Sequence, residues 1–394
     1  MERYKLASST WGDEELNAIN KVIEKGFYSM SDFVFQYESE FAEFFGSKYC
    51  VMTSSGSTAN LLMIASLFFT KDKELKLKRG DEIIVPAVSW STTYFPLQQY
   101  GLKVKFVDID RETLNFNINE LEAAISPSTK VILAVNLLGN PNDFSKISAL
   151  CEENDITLLE DNCESMGAKF NDKFTGTFGL MGTFSSFFSH HISTMEGGCI
   201  LTDNEEIHHI LLSIRAHGWT RNLPDINHVT GKKSKNNFEE AFKFVLPGYN
   251  VRPLEMSGAI GSEQLKKLEK FLYERRRNAS FFKDKFEKLS DIEIQKQIGE
   301  SSWFGFSIIL KDDSRLSRLE LIRELEMNNI EVRPIISGDF TKNLNVLDYF
   351  DYEIFGTLEN AKLLDRNGFF VGNHHYNLKK EINYLFDLIK KFIS

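Results

Sequence analysis

Residues 49–60 form a strand–turn–helix pattern: Tyr49-Cys50-Val51-Met52-Thr53-Ser54-Ser55-Gly56-Ser57-Thr58-Ala59-Asn60. A short apolar run ends in serines and one glycine, and the apolar run Leu61–Phe69 continues at helical length. Backbone N–H groups at the start of such a helix point outward, and the helix dipole favours an anion there. Gly56 and Ser57 therefore predict a phosphate-binding turn, for which an ordinary helix N-cap is the alternative.

The alternation of apolar runs and helical patterns extends outward from this unit to about residue 203. Strands are expected at Tyr49–Thr53, Glu82–Pro86, Val104–Ile109, Val131–Val135, Thr157–Glu160, Gly182–Phe187 and Gly198–Thr202. Strands that alternate with helices are typical of an α/β domain, because a crossover helix joins neighbouring parallel strands. The sequence therefore predicts an α/β fold with a mostly parallel central sheet.

The rest of the sequence predicts a second, smaller domain. With 394 residues the chain exceeds what one hydrophobic core usually serves. Apolar residues at helical spacing predict a helix over Leu254–Lys270, which a charged segment continues to Arg277. We place the change of domain near residue 260. This gives a large α/β domain over residues 1–260 and a compact C-terminal α+β domain over residues 261–394.

Charge and composition argue against several classes of function. The formal net charge of −10 disfavours nucleic-acid and anionic-membrane partners, because such partners require a basic face. The longest near-apolar run, Leu61–Phe69, is too short to span a bilayer, and no signal-like segment follows Met1. We therefore expect a cytoplasmic protein. The four cysteines lack the paired spacing of zinc or iron–sulfur sites, so we expect no metal.

Two further strand ends carry residues that suit a flat heterocyclic ligand. Ligands of open α/β sheets gather at the carboxyl ends of the strands, and Trp90, just after Glu82–Pro86, can stack on an aromatic ring there. Asp161 ends the apolar strand that begins at Thr157, and a carboxylate in that place can keep a pyridine nitrogen protonated. Core packing for Trp90 and a helix N-cap for Asp161 are the alternatives.

A fourth segment reads Ser185-Ser186-Phe187-Phe188-Ser189-His190-His191-Ile192-Ser193-Thr194-Met195-Glu196-Gly197-Gly198. In this order, the four segments resemble the sugar aminotransferase and dehydratase family (DegT/StrS type) of pyridoxal-phosphate enzymes. The resemblance covers essentially the whole chain and includes Gly248-Tyr249-Asn250-Val251-Arg252-Pro253-Leu254-Glu255. It implies a fold-type I transferase of the aspartate aminotransferase-like kind, with pyridoxal or pyridoxamine 5′-phosphate as the cofactor.

The resemblance also implies roles for individual residues. In the family the serine five positions before the lysine slot binds the cofactor phosphate, which here implies Ser185. Asn250 is expected to reach the same phosphate from the partner subunit, so a two-fold homodimer would share its active sites. Glu164 occupies a position where the family usually has glutamine or histidine near the phenolic oxygen of the cofactor.

The position of the usual Schiff-base lysine holds His190. In the family Glu-Gly-Gly begins six residues after that lysine, and six residues before Glu196 lies His190. No lysine occurs between Lys173 and Lys232, so a shift in register does not supply one. An imidazole cannot form an imine with the cofactor aldehyde, so a bound cofactor would be held without a covalent bond.

Histidine in this position resembles the 3-dehydratases that act on nucleotide-linked 4-keto-6-deoxy sugars. The resemblance implies that L-glutamate converts the cofactor to its amine form, that His190 acts first as base and then as acid, and that ammonia is released. One kind acts on a CDP sugar and carries an iron–sulfur cluster, which the scattered cysteines disfavour. The other kind acts on a GDP-linked 4-keto-6-deoxy sugar, and its active-site segment is similar to residues 189–198.

The substrate contacts rest on single residues. Arg221 and Arg333 are candidates for holding the pyrophosphate, since a guanidinium matches such oxygens geometrically, and His217 is a candidate for the sugar pocket. A structural role is the alternative for each. Adjacent residues of an extended chain point to opposite sides, so we do not predict a metal-binding pair at His190 and His191. A nucleotide-sugar 4-aminotransferase and a non-catalytic cofactor-binding protein remain the alternative functions.

Overall fold

The computed structural model describes residues 3–312 and 317–393. Its helices are α1 (Asp13–Lys25), α2 (Asp32–Phe45), α3 (Gly56–Phe69), α4 (Ser91–Gln99), α5 (Ile118–Ala124), α6 (Phe144–Glu153), α7 (Glu205–Ile214), α8 (Asn237–Glu240), α9 (Glu255–Leu265), α10 (Leu268–Phe286), α11 (Arg318–Met327), α12 (Leu344–Leu347), α13 (Glu359–Asn367) and α14 (Lys379–Ile393). Short 3₁₀ turns lie at Leu137–Gly139 and Phe340–Lys342.

The strands form a large sheet, a small sheet and two short hairpins. They are β1 (Tyr49–Thr53), β2 (Glu82–Pro86), β3 (Lys103–Val107), β4 (Thr129–Val135), β5 (Thr157–Asp161), β6 (Lys169–Phe170), β7 (Lys173–Phe174), β8 (Met181–Ser185), β9 (Gly198–Thr202), β10 (Ile226–Asn227), β11 (Gly231–Lys232), β12 (Ile292–Glu293), β13 (Gly305–Leu310), β14 (Val332–Arg333), β15 (Asp351–Ile354) and β16 (Gly368–Gly372).

The large sheet has eight strands in the order β1-β9-β8-β5-β4-β2-β3-β15. The strands from β8 to β15 pair in parallel, and β9 is antiparallel to both of its neighbours. Helix α3 is buried along most of its length and packs with strands β1, β2 and β8 in the largest apolar cluster. The predicted α/β fold with a mostly parallel sheet is confirmed.

Strand β8 ends two residues before the predicted end at Phe187. Its pairing with β9 stops at Ser185, and the chain then turns, with the Phe187 N–H donating to Ser185 Oγ and the His190 N–H donating to the Phe187 carbonyl (3.3 and 2.9 Å). The residues that follow therefore form a loop between β8 and β9. We call residues 186–197 the catalytic loop because His190 lies in it.

The small sheet is antiparallel, in the order β12-β13-β16-β14, and packs against helices α10, α11 and α14. Two segments cross the predicted domain limits: Tyr4 packs into the small-sheet core, and β15 pairs with β3 of the large sheet. Residue 260 lies inside α9, and the predicted continuous helix breaks between Leu265 and Leu268. Residues 1–2, 313–316 and 394 of the two predicted domains lie outside the described residues, and the division at residue 260 stays a prediction.

In the described part of the chain, no helix combines the length and the apolar character that crossing a membrane requires. Within residues 3–312 and 317–393, no group of three or more histidine, cysteine or acidic side chains is arranged to hold a metal ion.

Candidate active site

A cavity of about 310 Å³ opens at the carboxyl ends of strands β1, β2, β4, β5 and β8. Eight of the predicted site residues line it: Gly56, Ser57, Trp90, Asp161, Glu164, Ser185, His190 and Arg333. His217, Arg221 and Asn250 do not line it. The parallel strands thus bring together residues that lie far apart in the sequence, because their carboxyl ends meet at one edge of the sheet.

The start of α3 forms one wall of the cavity. Ser55 caps the helix by accepting a hydrogen bond from the Thr58 N–H (3.1 Å), which leaves the N–H groups of Gly56 and Ser57 without partners inside the helix. A Cβ atom at Gly56 would lie 2.7 Å from Ser185 Cβ, so only glycine allows this approach of the helix to the end of β8. The Ser185 hydroxyl and the helix start therefore face the same part of the cavity, an arrangement suited to a phosphate.

Asp161 is held rigidly at the end of β5. Its Oδ2 accepts hydrogen bonds from Asn60 Nδ2 (2.8 Å) and Thr93 Oγ1 (2.7 Å), and its Oδ1 accepts one from the Cys163 N–H (3.1 Å). The carboxylate is buried. Three donors stabilise its charged form and fix its orientation, as a carboxylate requires if it is to face a protonated ring nitrogen. The Asp161 side chain also lowers the acidity of its neighbour, because burial and this carboxylate raise the pKa of the Cys163 thiol.

Glu164 and the basic group of Arg333 both line the cavity, and their charges interact. Burial raises the pKa of the Glu164 carboxyl to about 7, although Arg333 and a hydrogen bond from the Leu138 N–H (3.2 Å) act in the opposite direction. The carboxyl group is therefore close to half-protonated near neutral pH and can donate or accept a proton there. Trp90 remains 58% exposed at the mouth, so it is available to a ligand and does not fill the core.

His190 projects into the cavity from the catalytic loop. Its Nδ1 is buried without a hydrogen-bond partner, and its ring packs edge-on against Phe304 and Phe187, with centroids 5.1 and 6.0 Å away. Burial, together with Arg333 and Arg275, lowers the pKa of His190 to about 3. The imidazole is therefore neutral at pH 7, the form in which a ring nitrogen accepts a proton.

The neighbouring His191 points away from the cavity. Its Nε2 donates to the Ser302 carbonyl (3.1 Å), and the side chain is fully buried. His191 is thus held outside the cavity that His190 lines, although both rings contact Phe304. No lysine of the described chain lines the cavity, and Arg333 is the cationic side chain in its wall.

The remaining predicted residues, His217, Arg221 and Asn250, form a second group together with Trp219 and Arg252. We call these five residues the Trp219 cluster. The Arg221 guanidinium lies 4.1 Å and that of Arg252 5.4 Å from the centre of the Trp219 ring. Arg252 Nε donates to Asn250 Oδ1 (3.0 Å), which turns the amide nitrogen of Asn250 toward other partners. These residues are placed together by the backbone bridge between Ala216 and Asn250.

Sequence reasoning missed the residues that orient the predicted ones. Asn60 and Thr93 hold Asp161, and Phe304 packs against His190. Asn60 and Thr93 belong to segments that had been singled out, but only the helix register shows that their side chains point at β5. Phe304 precedes β13 of the small sheet, and no local pattern relates it to a histidine more than a hundred residues earlier.

The fold and the cavity are those of a large group of α/β enzymes that act on amino groups. The sequence model of the DegT/DnrJ/EryC1/StrS aminotransferase family matches residues 9–364 of the chain. Because the match spans most of the sequence, the chain belongs to this family.

Within the family, the chain is very similar to one kind of enzyme. It is 63% identical over 391 residues to GDP-4-keto-6-deoxy-D-mannose 3-dehydratase of Yersinia pseudotuberculosis, covering 99% of each chain. The structure superposes on the E. coli GDP-4-keto-6-deoxy-D-mannose-3-dehydratase with bound hydrated PLP (TM-score 0.97, 64% identity, 98% and 99% covered). A second structure of such a dehydratase, with a trapped PLP-glutamate geminal diamine, gives a TM-score of 0.96 at 64% identity and covers 98% of this chain and 99% of that one.

Proposed function

We propose that the protein removes the 3-hydroxyl group of GDP-4-keto-6-deoxy-D-mannose and forms GDP-4-keto-3,6-dideoxy-D-mannose, a step toward O-antigen sugars such as colitose. Pyridoxal or pyridoxamine phosphate is the cofactor, L-glutamate is the amino donor and ammonia is released. The observation that carries the proposal is His190, which lies in the cavity at the family's lysine position with no lysine of the described chain beside it. Near-complete similarity to dehydratases of this specificity supports the choice of substrate.

The residues of the cavity fit the cofactor. The open start of α3 with Ser185 suits its phosphate, and Asp161 suits its ring nitrogen. Trp90 is exposed where it can cover a ring face, and Glu164 is placed for the phenolic oxygen. When bound, the cofactor supplies an amine that condenses with the sugar ketone and a ring that accepts electrons. Asp161 maintains the positive charge of the ring nitrogen that this requires.

His190 performs the proton transfers. The neutral imidazole takes a proton from the carbon next to the cofactor ring and then returns it to the departing 3-hydroxyl group of the sugar. Its low pKa makes the protonated form a strong acid, which favours the second transfer. A lysine in the same position would instead deliver the proton to the sugar carbon and complete a transamination. The imidazole therefore directs the reaction toward dehydration.

Arg333 and the phosphate turn account for binding of negative charge. Arg333 lies over the Phe370 ring, with its guanidinium carbon 4.5 Å from the ring centre, so its fork is held in one orientation toward the cavity. A planar guanidinium of this kind suits a pyrophosphate oxygen pair. Arg221 and His217 of the Trp219 cluster complete the proposed substrate contacts.

A homodimer would bring the Trp219 cluster to a cavity. Asn250 lies outside the cavity of its own chain, and the nearby Leu254 is 59% exposed beside Tyr28, which is 51% exposed. Leu16 and Ile23 of α1 are also exposed. Exposed apolar side chains of this size mark a protein contact. A second copy of the chain would cover them and supply Asn250 to the neighbouring cofactor phosphate.

The test is the product formed from GDP-4-keto-6-deoxymannose, pyridoxal phosphate and L-glutamate, measured by mass spectrometry together with free ammonia. Loss of one oxygen from the sugar with release of ammonia is expected. An amino sugar as product would establish the 4-aminotransferase instead. If the cofactor binds but no pyridoxamine form appears with glutamate, the protein is a non-catalytic cofactor-binding protein.

A further inference from the structure

Arg275 of α10 is a buried guanidinium with no carboxylate partner among the described residues. It is 3% exposed, and its Nη1 donates to the backbone carbonyls of Trp303 (3.3 Å), Phe304 (3.2 Å) and Asn373 (2.9 Å). Its Nε has no hydrogen-bond partner. The neighbouring Arg276 contacts the same stretch of chain, through the Ser301 carbonyl, but forms an ion pair with Glu300. Only the charge of Arg275 is left without a counterion nearby.

The segment Ser301–Phe304 separates Arg275 from the catalytic loop. On one side its carbonyls accept the hydrogen bonds of Arg275. On the other side the Ser302 carbonyl accepts the hydrogen bond of His191, and the Phe304 ring packs against both His190 and His191, with centroids 5.1 and 5.8 Å away. The guanidinium is therefore one layer of backbone away from the two histidines, in a region from which water is excluded.

Charged groups of both signs face these histidines. Arg333 faces His190 from β14, Glu164 and Asp161 line the same cavity from the end of β5, and Glu196 lines it from the catalytic loop itself. His374 and His375 face Arg275 from the segment after β16. The buried fixed charge that α10 contributes is that of Arg275, so two cations, Arg333 and Arg275, act on His190. In a low-dielectric interior such a charge acts over several ångströms, and its sign opposes protonation of an imidazole.

We propose that Arg275 is a positioning residue for the reaction, whose uncompensated charge keeps His190 neutral and available as a base. The inference rests on the proposed function only for the role of His190, since the electrostatic effect itself is a property of the protein without substrate. It explains why a cation is buried at this point without a carboxylate, although burying one is costly. A carboxylate partner would cancel the field that the catalytic loop experiences.

The direction of the pKa shifts agrees with this arrangement. After burial, the charge of Arg275 is the next cause of the lowered pKa of His191, His374 and His375, the last two to about 4. For His190 its charge adds to the larger effect of Arg333. Four imidazoles around one guanidinium thus stay neutral at pH 7. The pKa of Arg275 falls only to about 10, so the guanidinium itself remains charged.

The experiment measures the protonation of His190 directly, in the cofactor-free protein. Imidazole nitrogen chemical shifts are followed by NMR as the pH is lowered from 8 to about 2.5, a range that includes the lowered pKa of His190, about 3. The His190 signal is assigned by its absence in His190→Asn. In Arg275→Gln the titration midpoint of His190 should rise by about one pH unit or more, as expected for removal of a nearby buried charge. Arg276→Gln is the matched control, because its charge is already offset by Glu300, and Arg275→Lys retains the charge.

The acid limb of kcat/KM gives an independent readout. It should move toward neutral pH in Arg275→Gln and stay in place in Arg276→Gln and Arg275→Lys. If Arg275→Gln does not fold, Arg275→Met fills the same space without buried donors. A wild-type His190 that titrates near 6.5, or a midpoint that Arg275→Gln and Arg275→Met leave unchanged, would overturn the proposal. Both results are independent of the product analysis, so a failure here is distinguishable from a failure of the proposed function.

Discussion

The cavity and the Trp219 cluster both contain residues of the predicted site, but they differ in how complete they are. In the cavity, Asp161 is held by three donors and Gly56 by close contact with Ser185. In the Trp219 cluster, Asn250 has its amide oxygen bonded to Arg252 and does not line that cavity. The cavity residues lie together within one chain, whereas the Trp219 cluster lies outside the cavity of the chain that carries it.

The cavity and the Trp219 cluster therefore have different proposed roles. Residues that fix the ring and move protons come from strand ends of one chain, where a parallel sheet holds them rigidly. Three further residues proposed for phosphate or substrate contact, His217, Arg221 and Asn250, lie around the bridge between Ala216 and Asn250, outside that cavity. Charged and aromatic side chains that stack on one another, as in this cluster, keep a defined geometry even when exposed. A second subunit would therefore meet a preformed surface.

The largest effect on the reaction rate is expected from substitution of His190 in the cavity. His190→Asn should lower the rate of deoxygenation by roughly 10²- to 10⁴-fold, because the amide cannot exchange a proton near neutral pH. Binding of pyridoxal phosphate, followed by its absorbance, should persist, since Ser185 and Asp161 are unchanged. His228→Asn, which removes a surface histidine paired with Glu205, is the control and should keep full activity. Retained deoxygenation in His190→Asn would remove His190 from its role.

The sequence predicted many of the residues that line the cavity, but not the residues that hold them in place. Glycine, serine, aspartate and tryptophan at strand ends were recognisable because the carboxyl ends of parallel strands converge, and eight predicted residues line one cavity. Burial along α1 does not follow its apolar residues. Its buried residues are Glu15, Ala18 and Val22, while Leu16 and Ile23 are exposed. An apolar periodicity shows that a face is covered but not by which partner.

Contacts between distant segments could not be predicted. Arg275 reads as one arginine in a charged helix, and only the fold places it behind Phe304 and the catalytic loop. The break between α9 and α10 was missed for a related reason: the charged residues Lys266 and Lys267 are compatible with a helix, and the turn there is imposed by tertiary packing. The polar segment 221–238, rich in asparagine, lysine and glycine, likewise contains the hairpin of β10 and β11.

The variant Asn250→Ala tests whether the Trp219 cluster contacts the cofactor of a partner subunit. Loss of a hydrogen bond to a phosphate should raise the dissociation constant of the cofactor by about 10- to 100-fold. The decisive measurement mixes Asn250→Ala with His190→Asn. The assay uses a cofactor concentration at which Asn250→Ala alone stays largely empty and inactive. If the sites are shared, each mixed dimer then contains one site with both residues intact, and equal mixing should restore about a quarter of the wild-type activity.

The mixed sample has a simple control. His190→Asn mixed with a second preparation of His190→Asn should remain inactive, which excludes recovery from exchange alone. If Asn250→Ala and His190→Asn give no recovery even though gel filtration shows that subunits have exchanged, then Asn250 serves its own chain and the shared-site proposal is wrong.

A smaller effect is expected at Arg221. Its guanidinium lies over the Trp219 and Phe242 rings and donates to the Ala241 carbonyl (2.8 Å). Arg221→Gln should raise KM for the GDP sugar about tenfold with little change in kcat, because a charged contact to the pyrophosphate contributes to binding and not to the chemical step. Arg221→Lys keeps the charge but loses the planar fork, so an intermediate KM is expected. An unchanged KM in both variants would assign Arg221 a structural role.

The smallest effect is expected from Glu164, and it concerns the pH dependence of kcat. Because the pKa of its carboxyl is raised to about 7, the group is mostly neutral below pH 7 and ionised above it. Next to the phenolic oxygen of the cofactor, the neutral form donates a hydrogen bond, whereas the ionised form repels a negative oxygen. Wild-type kcat should therefore fall a few-fold as pH rises through about 7. Glu164→Gln carries an amide that stays neutral, so its profile should be flat over the same range. A falling limb that persists in Glu164→Gln would mean that another group titrates there and that Glu164 does not face the cofactor oxygen.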